Sequence, residues 1–598
     1  MYRPLQVDST SSQSALVTTM AREGMNQRDL SQFLDVEFAQ IIRNYIPVGT
    51  GQLEKREGQT EIFEVAGNEQ ILMAEKYTDT LWLFAYNTTL AAYDVDTDTV
   101  TNIKTDFTAS GTFEGARAGD YFFITNGAEL PYRISVTLDY DAQTANFTVG
   151  ETLTGGTSGA TAIILEDDDS GVAGTLTLGS IEGVFQNNEA LTDGATGAAV
   201  ADGTLTWAAT EVSNAPVAKG VRLLGSRLFL YALADNPSAV AYSDSDDGTN
   251  PPFQTWAAGT LADDPGLISN RNIGEIRDIQ QISQYYVVWG DDGKFAFTIS
   301  QLDSGGILSK VDDFLMHRVD FGGARGALMT PIGLVYANEN GFYSLLGVGQ
   351  DTDSFSDQDF FLVDQLGDDY FTDIDVTNGD IVFDEKRKNV LFTCARDSAT
   401  NNVVIGYNVE SKAVFEFVGW NVNRWFKIDG EIYAASSLNT SIHKCFDGHD
   451  DNGLPIGTEY VQELNMGSLY LSQDLLGCYV QGFLSASTAI DVNFDAYNQE
   501  GLFASERAQF TWEAQSVGGL ASGFGASSWG ITAWGGYSPD PNLVESFDGC
   551  RPFVRRVQRI VLRITSGDLV DHVINWIGIE VKQKNRIRRR KMTRTITT

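Results

Sequence analysis

Three aspartates at alternate positions have the spacing that most suggests metal chemistry. Asp94, Asp96 and Asp98 repeat the spacing with which a calcium-binding loop supplies its carboxylates. Such a loop also needs a glycine at its sharp turn and a bidentate glutamate near its end, but Thr99 and Thr105 occupy those two positions. We therefore interpret the aspartates as the solvated face of a β-hairpin, and the sequence predicts no metal site.

A second acidic stretch, YSDSDDGTNPPFQTW (242 to 256), resembles the Asp-box turn of sialidase propellers. The glycine comes one residue too early, at Gly248, and the Thr-Trp pair is displaced to Thr255 and Trp256. Because Asp boxes are structural turns, the stretch favours a propeller rather than a sugar-cleaving site. The acidic run from Glu166 to Asp169 is predicted to lie in a solvated turn.

The patterns of the common catalytic sites are missing from the sequence. It has no Gly-x-Ser-x-Gly elbow, no His-Glu-x-x-His, no Walker phosphate loop and no Gly-x-Gly-x-x-Gly fingerprint. Of the four histidines, His317, His443, His449 and His572, only His443 and His449 lie near each other in sequence. We interpret all four as structural or surface residues and predict neither an enzyme nor a bound cofactor.

The cysteines and the N-terminus indicate the compartment in which the chain is made. Cys394, Cys445, Cys478 and Cys550 are too far apart for a Cys-x-x-Cys motif, which predicts buried, reduced thiols. The first residues lack the apolar core of a signal peptide, and no apolar run approaches the ~18 to 20 residues of a membrane helix. Synthesis in a reducing cytoplasm is expected.

Hairpins in series predict the architecture. Seven times the chain runs a β-branched and aromatic stretch through a turn into a second such stretch, which is the signature of antiparallel hairpins. They occupy 81 to 97, 227 to 245 and 389 to 417, with fainter copies beginning near Tyr121, Tyr285, Ile332 and Glu431. Their starts lie roughly 40 to 58 residues apart once an insert is set aside, which is the period of a four-stranded blade. We predict an all-β fold built on a β-propeller of six or seven blades.

A duplicated module interrupts the blades. FTVGETLTGGTSGATA (147 to 162) recurs as FQNNEALTDGATGAAV (185 to 200), with phenylalanine, glutamate, leucine and glycine at matching positions. We predict that residues 140 to 210 are a small inserted β module that projects outward and whose deletion leaves the rest folded.

The remaining domain boundaries follow from changes in the sequence pattern along the chain. Leu30, Leu34, Phe38, Ile41 and Tyr45 recur at helical spacing, which predicts a short N-terminal helix over residues 28 to 45. After residue 448 the hairpin period is lost while strand-like stretches continue. The predicted domains are an N-terminal arm and helix (1–66), the first part of the propeller (67–139), the inserted module (140–210), the rest of the propeller (211–450) and a C-terminal β domain with a basic tail (451–598).

The charge of the chain is strongly uneven. With 41 basic and 80 acidic residues the net charge is −39, so most of the surface should repel nucleic acid and anionic membranes. Adaptation to a salty medium is another explanation of the acidic body. The C-terminal tail is the exception, since residues 582 to 594 hold eight basic residues and no acid. The tail is either solvated or docked on an acidic neighbour or nucleic acid.

Two groups of residues are therefore predicted to bind a partner. The first is the basic tail, and the second is a pair of tryptophans in the Gly-rich stretch 520 to 542, where exposed tryptophans favour an interface although a core loop is equally common. The candidate residues are Arg586, Arg588, Arg589, Arg590, Lys591, Arg594, Trp529 and Trp534.

A family resemblance rests on the stretch RNYIPVGTGQLEKREG (43 to 58), which is similar to the opening of the tail nozzle proteins of short-tailed bacteriophages. These are also called tail tubular protein B or the connector stabilisation protein. The residues that carry the resemblance are Asn44, Pro47, Gly51, Leu53, Arg56 and Gly58. As a pattern it continues through the hairpins to residue 448, and more loosely into the C-terminal domain. The insert and the basic tail depart from better known members.

The resemblance implies a structural protein of the virion tail, assembled in the host cytoplasm. It implies a homohexamer that forms a tapering tube beneath the portal and adaptor rings, retains packaged DNA and later conducts it. The implied partners are other copies of the chain, the adaptor or head-to-tail connector ring, tail fibres or tail-tip proteins, and the host envelope at the tip. Double-stranded DNA would pass without specific binding, because carboxylates within the ~8 Å screening length repel phosphates.

Two alternatives remain open. A glycan-binding or glycan-cleaving propeller would bring two or three carboxylates together ~5 to 10 Å apart beside an aromatic platform. A receptor-binding tail protein would use the projecting module as its adhesin.

Overall fold

The computed structural model describes a protein built almost entirely of β-strands. The described residues are 23–29, 37–48, 51–67, 69–244, 253, 256, 265–282, 285–297, 301–302, 307–308, 314–316, 326–338, 341–345, 359–361, 366–465, 472–484, 489–497, 508–513, 544–550, 554–557, 559–567 and 572–584. Within them the helical segments are the short α-helix Asp368–Phe371 and the 3-10 turn Arg271–Ile273.

Seven groups of four antiparallel strands within the described residues are the blades of a β-propeller. Five are separate four-stranded sheets, whereas blades 2 and 6 belong to larger sheets. The first strands of neighbouring blades contact each other, and between blades 4 and 5 Ala327 donates a hydrogen bond to Asp278, which makes these the inner strands. The blades are Ile71–Lys76, Leu81–Tyr86, Thr89–Asp94 and Thr99–Lys104 (blade 1); Glu114–Ala118, Tyr121–Thr125, Tyr132–Ala145 and Thr206–Glu211 (blade 2); Ala218–Leu224, Arg227–Leu233, Asn236–Tyr242 and Gly266–Ser269 (blade 3); Ile276–Ile282, Tyr285–Gly290, Gly293–Phe297 and Phe314–Met316 (blade 4); Leu328–Thr330, Gly333–Asn338, Gly341–Leu345 and Asp359–Phe361 (blade 5); Ile381–Asp384, Asn389–Arg396, Val403–Asn408 and Val414–Val418 (blade 6); and Val422–Ile428, Glu431–Ser436, Ser441–Cys445 and Gln59–Glu64 (blade 7).

The prediction of an all-β propeller is confirmed, and the number of blades is seven. Each hairpin predicted from the sequence supplies the second and third strands of one blade. These strands are covered on both faces by the neighbouring blades, so they read as continuous apolar runs such as RLFLYAL, in which every residue is buried. Separate apolar cores fill the spaces between blades 1 and 2, 2 and 3, 3 and 4, 4 and 5, and 7 and 1.

The ring is closed by a strand from the N-terminal side of the chain. Gln59–Glu64 pairs antiparallel with Ser441–Cys445 and completes blade 7, whose other three strands come from residues 422 to 445. The structure therefore places residues 59 to 64, assigned above to the N-terminal arm, inside the propeller.

The N-terminal helix predicted over residues 28 to 45 is wrong where the structure describes it. Ile41–Arg43 and Tyr45–Val48 are strands, whereas residues 30 to 36 lie outside the described residues. Ile41–Arg43 pairs with Thr458–Asn465 on one side and with the outer strand of blade 6 on the other. Tertiary pairing of β-branched and aromatic residues has overridden the local helical spacing.

Two sheets form the C-terminal domain, and the N-terminal segment contributes strands to both. The first contains Ile41–Arg43, Thr458–Asn465, Arg559–Ser566, Ala489–Tyr497 and Ala508–Glu513; the second contains Tyr45–Val48, Gln52–Lys55, His572–Lys584, Ser472–Leu484, Val544–Cys550 and Val554–Val557. Their apolar faces share one core, which continues into blade 6. We call this pair of sheets the sandwich.

The insert grows out of blade 2 between its third and fourth strands. Its strands are Thr152–Gly155, Thr161–Asp169, Gly174–Glu182, Ala190–Thr192 and Ala198–Ala201, together with the second half of Tyr132–Ala145. The repeated phenylalanines and leucines lie in its own core. The insert also packs against blade 2, because Leu165 joins the core between blades 2 and 3 and Tyr121 donates a 2.6 Å hydrogen bond to Glu166. Glu166 therefore lies in a half-buried strand, and its prediction as part of a solvated turn is wrong.

Candidate functional site

The residues predicted to bind partners lie outside the part of the chain that the structure describes. This applies to Trp529, Trp534 and the whole set Arg586, Arg588, Arg589, Arg590, Lys591 and Arg594, which all remain predictions.

The histidines that the structure describes are dispersed rather than grouped. His443 Nε2 lies 2.8 Å from Ser441 Oγ in blade 7, and burial lowers the pKa of this imidazole. His572 Nε2 lies 2.7 Å from the Tyr45 hydroxyl in the sandwich. Among the described residues, no group of three or more His, Cys, Asp or Glu side chains is arranged to hold a metal ion.

Asp94 lies at a hairpin turn in blade 1. Its Oδ1 accepts hydrogen bonds from the backbone N–H groups of Asp96 at 2.9 Å and Thr97 at 3.4 Å. The carboxylate thus orders the turn between two outer strands.

Charged side chains meet where the inner strands of the propeller converge. We call this set the central cluster, and it consists of Glu75 (blade 1), Glu114 (blade 2), Arg222 (blade 3), Asp278 (blade 4), Asp380 immediately before blade 6, and Arg424 (blade 7). Inner strands are otherwise mostly apolar, so charges placed there require partners.

Arg424 links three blades. Its guanidinium donates a 2.8 Å hydrogen bond to Glu114 Oε1 on blade 2 and a 3.0 Å hydrogen bond to the carbonyl of Leu72 on blade 1. The side chains of Arg424 and Glu114 are 9% and 12% exposed, so water screens this pair little.

Arg222 and Asp278 link the next three blades. Arg222 Nε donates a 3.1 Å hydrogen bond to Asp278 Oδ1, and this carboxylate holds the pKa of Arg222 well above its ordinary value. Asp278 also accepts backbone hydrogen bonds of 2.7 Å from Ile279 and from Ala327, the latter just before blade 5. The carboxylate is fully used by these donors.

Asp380 joins blades 6 and 7. Its Oδ2 accepts a 2.7 Å hydrogen bond from the backbone N–H of Trp425, and its Oδ1 accepts one of 3.0 Å from Ile381. Burial raises the pKa of Asp380 despite the opposing charge of Arg424 and the hydrogen bond from Trp425. With the two arginine links, the central cluster touches every blade of the ring.

Glu75 differs from the other carboxylates of the central cluster. It is half-buried, and within the described residues no hydrogen-bond donor contacts its carboxylate. Burial raises its pKa to about 7, Arg222 and Arg424 act against that rise, and the like charges of Glu114 and Asp380 add to it. Glu75 can therefore take up or release a proton near neutral pH, as a general acid or base does.

A second polar network joins the propeller to the sandwich. Arg56, which is fully buried, donates hydrogen bonds of 2.8 and 2.5 Å to the two carboxylate oxygens of Asp451 and stacks 4.7 Å from the ring of Trp420. Arg56 Nε donates to Asn44 Oδ1 at 2.9 Å, and the amide of Asn44 donates to the carbonyl of Gly457 at 2.7 Å. We call this set the joint.

A cleft of about 240 Å³ lies beside the joint, between the N-terminal segment and blade 6. Its floor is Glu416, whose Oε1 accepts from Arg43 at 2.9 Å and whose Oε2 accepts from Arg396 at 2.7 Å and from Tyr370 at 2.8 Å. All these charges are paired within the chain, which suits a structural contact between domains.

The central cluster was missed from the sequence. Its signal is a charged residue within or next to an inner strand, as Glu75 is in ILMAEK before the hairpin that begins at Leu81. One such residue looks like an ordinary solvated position, and only closure of the ring brings the set together.

No helix within the described residues is long and apolar enough to span a membrane. No protein-family model and no curated protein matches the chain. Among solved structures, Kluyveromyces lactis Hsv2 is similar at 9% identity, with 58% of this chain and 97% of that chain covered and a TM-score of 0.24. An exo-β-1,3-galactanase of Phanerochaete chrysosporium is similar at 9% identity, with 60% and 95% covered and a TM-score of 0.19.

Proposed function

We propose that the chain is a structural subunit of the tail nozzle of short-tailed bacteriophages, where a ring of copies retains packaged DNA and conducts it during ejection. The observation that carries the proposal is the position of the residues behind the family resemblance. Asn44 and Arg56 form the joint, Leu53 is 1% exposed in the sandwich core, and Gly51 turns the chain with a φ of 82°. A Cβ on Gly58 would lie 1.7 Å from the carbonyl oxygen of Asp450.

A rigid joint fits a protein whose work is mechanical. A buried, bidentate arginine–carboxylate pair and a continuous core hold the two domains together. A subunit of a pressurised tube requires this, whereas an enzyme that closes on a substrate commonly has a hinge between domains.

The distribution of charge supports DNA passage without binding. Every charged residue between positions 140 and 210 is acidic: Asp141, Glu151, Glu166, Asp167, Asp168, Asp169, Glu182, Glu189, Asp193 and Asp202. On the outer face of the insert, Asp139 and Asp168 both lie opposite Thr175 on the strand between them. Such a surface repels phosphates and would let a duplex slide past.

The propeller itself is not the proposed conduit. Its inner strands are tied together by the central cluster, so the DNA path would run between copies of the chain arranged around a common axis. That arrangement is a homohexamer placed under the adaptor ring.

Imaging of assembled tails by electron cryo-microscopy tests the proposal. We expect sixfold symmetry, this chain in the axial tube, and a lumen lined by Asp, Glu and neutral polar side chains. A lumen lined by Lys and Arg, or this chain placed outside the tube, would contradict it.

A glycan-cleaving propeller is the second candidate, and the convergence of Glu75 with Glu114 favours it. A carboxyl with a raised pKa beside an ionised one is the arrangement that glycosidases use. Against it, Glu114 is engaged by Arg424, and Asp278 and Asp380 are engaged by backbone N–H groups. Turnover of a glycan that Glu75→Gln and Glu114→Gln each abolish, with folding intact, would establish the enzyme.

A further inference from the structure

We propose that Glu75 makes the central cluster a proton-operated lock: the blades are held tightly while Glu75 is protonated, and the contacts at the centre of the ring loosen when it ionises. The lock is built from residues of this chain alone and does not depend on the nozzle function.

The groups around Glu75 come from four other blades. Glu114 on blade 2 and Asp380 next to blade 6 are like charges, while Arg222 on blade 3 and Arg424 on blade 7 are opposite charges. Asp278 on blade 4 lies behind Arg222 and occupies two of its nitrogens at 3.1 and 3.5 Å.

The two arginines near Glu75, Arg222 and Arg424, already donate hydrogen bonds to other groups. Arg424 gives Nε to the carbonyl of Leu72 and a terminal nitrogen to Glu114. An ionised Glu75 therefore competes with Glu114 for Arg424 and with Asp278 for Arg222. If ionised Glu75 pairs with either arginine, the existing bond of that arginine, to Glu114 or to Asp278, becomes weaker. Each of these bonds connects two blades.

The balance of charge also favours loosening of the central cluster when Glu75 ionises. With Glu75 ionised the central cluster holds four carboxylates against two guanidinium groups, and with Glu75 protonated it holds three against two. The excess negative charge lies in a half-buried place where water screens it poorly.

The sign of the pH dependence follows from the direction of the shift. Burial raises the pKa of Glu75 from its usual 4.5 to about 7 in the folded chain. The contribution of Glu75 to the free energy of unfolding is therefore largest below about pH 4.5. It falls as the pH rises toward 7 and remains low above that pH.

The test compares the wild-type chain with Glu75→Gln, which mimics the protonated side chain permanently. Thermal unfolding is followed from pH 5 to pH 8, with Glu410→Gln as the matched control because Glu410 is an exposed glutamate on blade 6. We expect Glu75→Gln to melt several degrees above the wild type at pH 8, with the difference shrinking toward pH 5, and the control to follow the wild type throughout. Hydrogen exchange of residues 71–76 and 422–428, corrected for the intrinsic pH dependence of amide exchange, should show lower protection at pH 8 than at pH 5 in the wild type and equal protection at both pH values in Glu75→Gln.

A direct measurement keeps the proposal testable if the variant folds poorly. Infrared difference spectra of the wild type should contain a protonated carboxyl band that disappears between about pH 6 and 8. The absence of such a band, or a Glu75→Gln variant equally destabilised at every pH, would overturn the proposal.

Discussion

Arg424 on blade 7 donates a 2.8 Å hydrogen bond to Glu114 on blade 2 and so reaches across blade 1, which lies between them. Because both side chains are largely buried, Arg424→Met should cost about 3 to 5 kcal/mol in the free energy of unfolding. Denaturant unfolding measures the loss. The more accessible pair Lys76–Asp79, with side chains 29% and 69% exposed, is the control, and Lys76→Met should cost less than about 1 kcal/mol. Equal effects of the two substitutions would contradict the bridging role.

The Arg424→Met/Glu114→Gln double variant separates the bond from the buried charge. Arg424→Met leaves the buried carboxylate of Glu114 without its partner. If this unpaired charge causes most of the destabilisation, Glu114→Gln restores part of the free energy of unfolding. The double variant should then lose less than the sum of the two single losses. Simple additivity would show that the two residues act independently.

Arg56→Lys tests the joint between propeller and sandwich. Lysine keeps the charge but cannot bind both oxygens of Asp451 or stack on Trp420 as guanidinium does. We expect a loss of about 2 to 4 kcal/mol, as for other disrupted buried charge networks. Scanning calorimetry should show the two domains melting separately instead of together. The exposed Arg117, substituted by lysine in the same way, should leave the melting profile unchanged.

Gly58→Ala tests the closest backbone approach behind the family resemblance. The new methyl group would lie 1.7 Å from the Asp450 carbonyl oxygen, so the loop before blade 7's outer strand must move. We expect a marked fall in soluble yield and melting temperature. Gly457→Ala is the matched control, since nothing lies within 4 Å of its added methyl group. A Gly58→Ala variant as stable as the control would show that the approach is not required.

The position of the fourth strand of blade 2 reverses the prediction that deleting residues 140 to 210 leaves the rest folded. Removing residues 140 to 210 also removes most of Thr206–Glu211, the outer strand of blade 2, and should prevent cooperative folding. Thr137 and Thr206 are opposite each other across the two strands, so an Asn-Gly turn replacing residues 138 to 205 keeps the blade complete.

The turn-bridged chain should fold with a lowered melting temperature. It loses the packing of Leu165 and leaves Arg133, which is 7% exposed, without Glu166. Circular dichroism melts of the two deletions, side by side with the full chain, check both outcomes. Cooperative melting of the 140–210 deletion would mean that blade 2 tolerates three strands.

The sequence patterns predicted the structures that form between residues close together in the chain. The hairpin that begins at Leu81 could be read because its strands adjoin and are covered on both faces. The pairing of Gln59–Glu64 with Ser441–Cys445 could not be predicted, because nothing in the sequence QTEIFE indicates a partner strand so far along the chain. The spacing of Ile41 and Tyr45 fitted a helix, but Ile41 pairs with Val461 far along the chain, and Tyr45 pairs with Lys55 in a short hairpin that the helical spacing concealed. Glu75 was overlooked because its neighbours belong to other blades.

Closure of blade 7 by residues 59 to 64 also fixes an order of events during synthesis. Asn439 contacts Glu64 across 375 residues of chain, so the ribosome must deliver nearly the whole propeller before the ring can shut. Until then the edge of Gln59–Glu64 is unpaired, and such edges invite pairing with other chains. Folding dominated by contacts this distant is slow. We therefore expect production of the protein to depend on low temperature or chaperones more than the stability of the finished ring would suggest.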